Sequence, residues 1–436
     1  MHIKEIVILN FVLPLAERFV GTCATKWYRQ ICRMQAWSRS EVEDWQNKEL
    51  QKFVQHAYHH TVYYHRLFDQ LGIRPEEIRT IQDLKRLPTI DKNIVNAHHD
   101  ELVPDNLATL KYRTGRTGGT TGEPMLYNCD EDVWGYVTAA KIFYWKKNNY
   151  HYGDAFVALG SSSLFSKKPS LLRRIYDQIR NEHGLNCVNL TDEICEQYVN
   201  YINAHHIHII YGYAAAIYLF AKYIKSHNSK TPLVRAVFTT SENLTDSYRA
   251  LIESTFHCKV MDCYGARDAG ITAYEMAPQQ YQIGYNALTE IIDEFAPNAG
   301  TVVSTNVLNY SFPLIRYRFG DEAELNPLCQ SYNGQTFSKV LGRTSDILVL
   351  GNGHHLTATG LSMIMKEFDI VAFDIRKTGD DTVVLRVQPN LSYTQKQEMQ
   401  IISTIKKYVG DDCDLKIEYV DHFEALPNGK HRYFYV

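Results

Sequence analysis

The sequence lacks any cysteine pattern that would hold a metal or a disulfide framework. Its nine cysteines are scattered, none forms a CxxC pair, and their number is odd. Reduced cysteines in a cytoplasm fit that spacing best. Positive charge is not in surplus either, since the formal net charge is −3. A dedicated nucleic-acid binder would carry a basic patch. No apolar run approaches the roughly 18 residues that a membrane span needs. The longest stretch, 7–16 (VILNFVLPLA), is broken by Asn10 and Pro14 and bounded by Glu5 and Glu17. The start, MHIKE, is a poor n-region for secretion. A buried or interfacial helix is expected there, and peripheral membrane contact through this N-terminal helix is the reading that competes with burial. Internal repeats and low-complexity segments are absent.

What is present is an ordinary soluble composition. The 436 residues are 45% hydrophobic and 22% charged, enough for two or three domains and a large core. Thirty tyrosines read as half-buried rings with wet hydroxyls.

Residues 1–75 read as helical. One helix opens at Ser40-Glu41-Val42-Glu43, a capping-type start. His56 and His60 have the i, i+4 spacing of helical zinc ligands, but no acidic third ligand is near in the sequence, so exposed or packing histidines are expected. From about 126 to 260 strands (154–159, 207–211, 236–240, 260–264) alternate with helices (214–226, and 241–256 with Glu242 in its first turn). That alternation predicts an α/β domain with a largely parallel sheet. Ligands bind beyond the carboxyl ends of such strands, and the loops 239–243 and 263–268 sit there. Ser241, Glu242, Tyr264 and Gly265 are therefore candidate binding residues. Stretches 283–293, 300–307, 314–317 and 323–325 read as β-ribbons, and 346–353 as a hairpin. The tail, with strands 371–376, 382–387 and 415–420 and a helix 394–409, is a small α+β unit.

The chain is organised around 112–127 (YRTGRTGGTTGEPMLY). Thr117, Gly118, Gly119, Thr120, Thr121 and Gly122 precede Glu123 and Pro124. Glycines allow close backbone approach, and hydroxyls and free N–H groups then face whatever lies against the loop. This is the chemistry of a phosphate cradle. No Lys-Ser or Lys-Thr closes it, so it is not a Walker A loop. A polar turn has the same composition. Four further stretches follow in order: Tyr264-Gly265-Ala266-Arg267-Asp268, then Ile315-Arg316-Tyr317-Arg318-Phe319-Gly320-Asp321, then Gly342-Arg343-Thr344-Ser345-Asp346, and Pro427-Asn428-Gly429-Lys430 near the C-terminus.

Together with HTVYYHRLFD (60–69) and LKRLPTIDK (84–92), that order resembles the adenylate-forming superfamily. It is most similar to the phenylacetate–CoA ligase family with its capsule-biosynthesis, CapK-like branch. TGGTTGEP resembles the family's SSGTTGKP, YGARD followed by AGITAYE resembles YGSRE…AYE, and PLIRYRFGD closely matches PLIRYRxGD. The resemblance implies a large N-terminal domain with mixed sheets, 1–342, and a small mobile α+β domain, 343–436. It implies an ATP-dependent carboxylic acid ligase that forms an acyl-adenylate and passes the acyl group to CoA, an amine or a sugar acceptor, in surface-polysaccharide biosynthesis. Thr117, Thr120, Thr121 and their glycines would hold the β- and γ-phosphates. Asp268 would hold Mg²⁺, Asp321 the ribose hydroxyls, and Arg343 ribose or phosphate. Tyr264 would pack on adenine, and Lys430 would meet the charge developing at the α-phosphate.

The sequence departs from the pattern in places. Glu123 replaces the loop lysine, and Asp268 replaces a glutamate. Ser345, followed by Asp346, stands at the usual hinge aspartate. Met276 and Tyr285 stand where some relatives carry Cys/His zinc ligands, so no zinc is expected. The competing reading is a catalytically degenerate nucleotide-binding or scaffold protein of the same fold.

Overall fold

The computed structural model describes residues 3–435 apart from 118–124, 161–170, 188–189, 243, 279, 328, 342–346, 351–354, 358–360, 362–363, 366–367, 391 and 424–433. The chain opens with helices α1 (Ile3–Val7), a π-helical turn (Ile8–Val12), α2 (Leu13–Val20), α3 (Ala24–Met34), α4 (Arg39–His60) and α5 (Val62–Leu71). The expected start of α4 at Ser40 is two residues late. Ser38 is the cap: its hydroxyl accepts from the Glu41 N–H, and the Glu41 carboxylate accepts from the Ser38 N–H. Both serines head an S-x-x-E box. Only the earlier one puts an apolar residue, Trp37, just outside the helix and another, Val42, at its fourth position, and both join one core cluster. His56 packs against Tyr310, whereas His60 is part-exposed beside Asp105, an acid that the sequence did not place near it. The first has Nε2 2.9 Å from the Tyr310 carbonyl, and the second has Nδ1 2.7 Å from Asp105.

Strand β1 (Ile90–Asp91) and the hairpin β2 (Tyr112–Arg116)–β3 (Leu126–Asp130) come next. They lead into β4 (Phe156–Gly160), β5 (Glu182–Asn186), β6 (Ile209–Tyr213), β7 (Ala236–Thr240) and β8 (Val260–Ala266). These five pair in parallel in the order β8-β7-β6-β4-β5. Their side chains alternate between two cores. Phe156, Ala158, Ile209 and Phe238 join one cluster, and Val157, Leu159, Ile210 and Val237 the other. A strand buried on both faces takes apolar residues at successive positions, as β4 does throughout, whereas the edge strand β5 is polar and only partly buried. The strand expected at 207–211 begins two residues later because His206, with φ 49°, reverses the chain after a helix.

Beyond β8 the sheet turns antiparallel. Its strands are β9 (Ile271–Ala277), β10 (Gln280–Ile283), β11 (Ala287–Ala296), β12 (Ala299–Asn306), β13 (Tyr317–Leu325) and β14 (Thr336–Val340). The order continues from β8 through β9-β10-β14-β13-β12-β11, with β1 alongside β13. The two short ribbons expected at 314–325 are one strand, β13. It starts only after Arg316, whose φ is 54°, and bends at Gly320, whose φ is 89°.

A pair β15 (Ile347–Val349)–β16 (His355–Thr357) forms the expected hairpin. A separate sheet follows, with order β19-β18-β17-β20, from β17 (Ile370–Gly379), β18 (Thr382–Pro389), β19 (Asp414–Tyr419) and β20 (Phe434–Tyr435). The helix Gln395–Val409 packs on it through Ile401 and Ile405, beside Ile375 and Leu385, in a core of its own. The architecture is therefore the expected one: α/β, with a large mixed sheet and a small sheet unit. The boundary expected at 342/343 lies outside the described residues.

Candidate active site

The site lies where the parallel half of the large sheet meets the antiparallel half. β8 and β9 pair antiparallel, with Gly265 opposite Thr272 and Ala266 opposite Ile271, and the turn between them carries Arg267 and Asp268. Gly270 closes that turn at φ 61°. A Cβ there would lie 1.8 Å from Asn306 Nδ2. Asn286 Nδ2 donates to the Gly270 carbonyl at 2.9 Å and to Asn306 Oδ1 at 3.2 Å. Two buried asparagines thus fix the backbone directly behind Asp268, and only glycine fits in front of them.

β13 comes from further along the chain and meets this turn. Tyr317 and Asp321 are four residues apart on it, on either side of the bend at Gly320. The Tyr317 hydroxyl donates to Asp268 Oδ2 at 3.0 Å, and the Tyr264 hydroxyl donates to Asp321 Oδ2 at 3.0 Å. Each carboxylate is therefore held by a phenol from the opposite strand. The Tyr264 ring, expected to pack on adenine, is at once a donor that orients Asp321.

The Gly/Thr loop enters the same place through its neck. Thr117 N–H donates to the Met125 carbonyl at 2.9 Å, and Met125 N–H donates to the Thr117 hydroxyl at 2.9 Å. This reciprocal pair closes the base of the loop. Met125 sulfur lies 3.6 Å from the Tyr317 hydroxyl, so the neck rests against the Tyr317–Asp268 pair. Arg267 stacks over the Trp134 ring, 5.4 Å from its centroid. Burial pushes the Tyr127 phenol up, with the Asp268 carboxylate adding to the rise and the Arg267 guanidinium opposing it.

Candidates on the parallel side behave differently. The helix expected from Ser241 begins at Asp246 and is capped by the Thr245 hydroxyl, which accepts from Tyr248 N–H. Ser241 instead takes a left-handed φ of 69°. Glu242 is buried, and its Oε2 accepts from Ala215 N–H at 2.8 Å, capping the helix Ala214–His227. It is not in a helical first turn of its own. Gly118, Gly119, Thr120, Thr121, Gly122, Glu123, Arg343, Ser345, Asp346 and Lys430 lie outside the described residues.

Sequence reasoning missed two residues of this constellation and one that anchors the strand carrying it. Tyr317 was legible only as part of PLIRYRFGD. Met125 carries no motif signal. Arg316 is not a ligand candidate: it is 8% exposed, its Nε and Nη2 each lie 3.0 Å from Glu290 oxygens, and Nη1 donates to the Leu87 carbonyl. It anchors β13 to β11 and to the segment before β1. Below the site, buried Asp262 on β8 accepts from Thr239 (2.6 Å) and Tyr281 (3.0 Å) hydroxyls, and burial raises its pKa to about 6. Among the described residues, no group of three or more His, Cys, Asp or Glu is placed to hold a metal by itself.

No protein-family model matches the chain. It is 22% identical to Protein CapK of Staphylococcus aureus over 99% of this chain and 97% of that one. It is 23% identical to the phenylacetate-coenzyme A ligase of Aromatoleum evansii, over 81% and 83%. Among solved structures it is similar to a 2-hydroxyisobutyryl-CoA ligase in complex with 2-HIB-AMP and CoA, in the thioesterification state. That match has a TM-score of 0.60 and 16% identity, over 91% and 90% of the two chains.

Proposed function

We propose that this chain, phenylacetate–CoA ligase-like and CapK-like over nearly its whole length, is an adenylate-forming ligase that joins a carboxylic acid to an acceptor at the expense of ATP. The acid's carboxylate attacks the α-phosphorus, the bond to pyrophosphate breaks, and an acyl-adenylate forms. CoA is the acceptor that the phenylacetate-coenzyme A ligase relative is named for, with an amine or a sugar of a surface polysaccharide as the finer alternatives. The observation that carries this reading is the convergence of three segments: two carboxylates, each oriented by a tyrosine, beside the closed neck of a Gly/Thr loop. The main obstacle is negative charge on both reactants, so catalysis rests on positioning and charge stabilisation.

The donors fit the groups this reaction needs. Asp268 offers oxygen, which suits Mg²⁺, a hard cation that often binds phosphates with only one or two carboxylates. Held there, the metal would supply charge neutralisation at the phosphates. Asp321 suits vicinal hydroxyls, which donate to a fixed carboxylate. Thr117 with Gly118, Gly119, Thr120, Thr121 and Gly122 would cradle phosphate, with Ser241, Glu242, Tyr264 and Gly265 bordering the nucleotide. Arg343 would add a planar cation, and Lys430 would arrive on a small domain, 343–436, that moves against 1–342. The same reading places the enzyme in the cytoplasm, held at a membrane by its N-terminal helices.

ATP–pyrophosphate exchange driven by a panel of carboxylic acids tests the proposal. Exchange should occur with at least one acid, and Lys430→Ala should lower it by about 10²–10³-fold. Exchange that survives the substitution removes Lys430 from the mechanism. Nucleotide binding without pyrophosphate release would favour the scaffold reading.

A further inference from the structure

The first two helices carry two lines of side chains. Glu5, Leu9, Leu13 and Glu17 are buried, while Val7, Phe11, Leu15 and Phe19 are 44%, 69%, 62% and 64% exposed. Each line steps by four residues, and the two are offset by two. At 3.6 residues per turn a four-residue step drifts by about 40°, so three steps would carry a line roughly a third of the way round. The wider i→i+5 turn at Ile8–Val12 sits in the middle of both lines and takes up part of that drift. One line therefore stays on the protein and the other stays outside.

The inner line is fastened. Glu5 lies 2.6 Å from Lys146 Nζ and accepts from Tyr152 N–H. Glu17 accepts from Thr25 N–H at 3.0 Å and from the Thr25 hydroxyl. The exposed phenylalanines are thus a fixed surface. The helix Leu171–Arg180 packs against α2 and exposes Leu171 and Ile175. Half of the exposed large hydrophobics among the described residues belong to these two helical pieces. Isolated exposed apolar residues are ordinary, but this clustering is not.

Charge identifies the partner. Residues 1–37 carry five Lys and Arg against two Glu, in a chain whose net charge is −3. Both glutamates are buried, whereas Arg18, Arg29 and Arg33 are exposed, as is Lys26, which is paired with Asp132 at 2.7 Å. Every charge that the described residues of this segment expose is positive. A second copy of the chain would bring the same charge to the contact. An anionic bilayer offers the complement: an acyl boundary for phenylalanine and leucine, and lipid phosphates for arginine. No helix among the described residues is long and apolar enough to cross a membrane, and this surface would lie on one.

We propose that the face of Phe11, Leu15 and Phe19, with Arg18, Arg29 and Arg33 supplying the charge, docks the protein on an anionic lipid bilayer. This deepens the membrane address proposed above and is independent of the ligase chemistry. The test is flotation of the full-length protein with phosphatidylcholine vesicles and with vesicles in which about a third of the lipid is phosphatidylglycerol. The protein should float with the anionic vesicles at low salt. Phe11→Ser/Phe19→Ser should float at least about tenfold less, and Arg29→Gln/Arg33→Gln should lose most of the preference for anionic lipid. Sedimentation velocity without lipid accompanies it, together with circular dichroism to show that both variants fold. Failure of the folded wild type to float with either vesicle overturns the proposal, as does equal flotation of the wild type and the serine variant. A dimer that the serine variant dissociates, with no flotation, assigns the face to a second copy and also overturns it. Pyrophosphate exchange in vesicle-free solution should be unchanged in both variants, so failure of the ligase reading would leave the flotation result standing.

Discussion

The two halves of the large sheet are held together differently. The central strands of the parallel half, β4, β6 and β7, are packed mainly by apolar side chains on both faces, and the ion pair of that half, Glu182 with Arg180 at 3.0 Å, sits at its edge strand β5. The antiparallel half is pinned by buried polar groups: Arg316 on Glu290, Asn286 on Asn306 and Gly270, and Gln335 on the Thr289 backbone. Burial of apolar surface is non-directional and tolerates small shifts of register or angle. A hydrogen-bonded buried ion pair does not, because moving either partner leaves a charge in a poor medium. The molecule places its directional contacts where a turn and a strand from distant parts of the chain must meet within hydrogen-bond reach.

Substitutions can break that contrast. Arg316→Ala should cost about 3–5 kcal/mol, since it leaves Glu290 buried without its counter-charge. Ile210→Val in the parallel half should cost only about 0.5–1.5 kcal/mol. Urea denaturation of both variants compares them, and an Arg316 effect no larger than the Ile210 effect would erase the distinction.

Asp262 sharpens it from the other side, as a buried carboxylate within the parallel half. Its folded pKa of about 6 stands above the ordinary 3.8. The native state therefore holds a proton that the unfolded chain has released between those values. The stability this gives is complete below the lower value and is lost as pH rises through about 6. Wild type should lose about 2 kcal/mol relative to Asp262→Asn between pH 4 and pH 7. A difference that stays constant across that range would mean that Asp262 ionises like an exposed acid.

The smallest effect is expected at the junction itself. Tyr264→Phe removes one hydrogen bond to Asp321 and should weaken ATP binding by about 1 kcal/mol, or several-fold in KM, with little change in stability. An unchanged KM would show that Asp321 needs no phenol to hold its orientation.

Much of this was legible in the sequence, for identifiable reasons. Four of the five parallel strands announced themselves as short, largely apolar runs, as in Phe156–Gly160, whereas β5, with the sequence EHGLN and only partly buried, gave no such signal. The Gly/Thr loop, YGARD and the RYRFGD segment stood out because their composition is unusual for core. What stayed hidden was pairing. Nothing near Tyr317 in the chain says that its hydroxyl reaches Asp268, 49 residues away. Nothing near Glu242 says that it caps a helix 27 residues earlier. The start of α4 was misplaced because two overlapping capping boxes differ only in whether a tryptophan can staple the helix end.

The small sheet has one further consequence. β19 lies at one edge of it and β20 at the other. β20 covers the outer edge of β17, pairing in parallel with Phe434 opposite Ile375 and Tyr435 opposite Arg376. Removing Phe434 and Tyr435 would bare the backbone N–H and C=O groups of that edge, and the shortened protein should be the more prone to self-association through it.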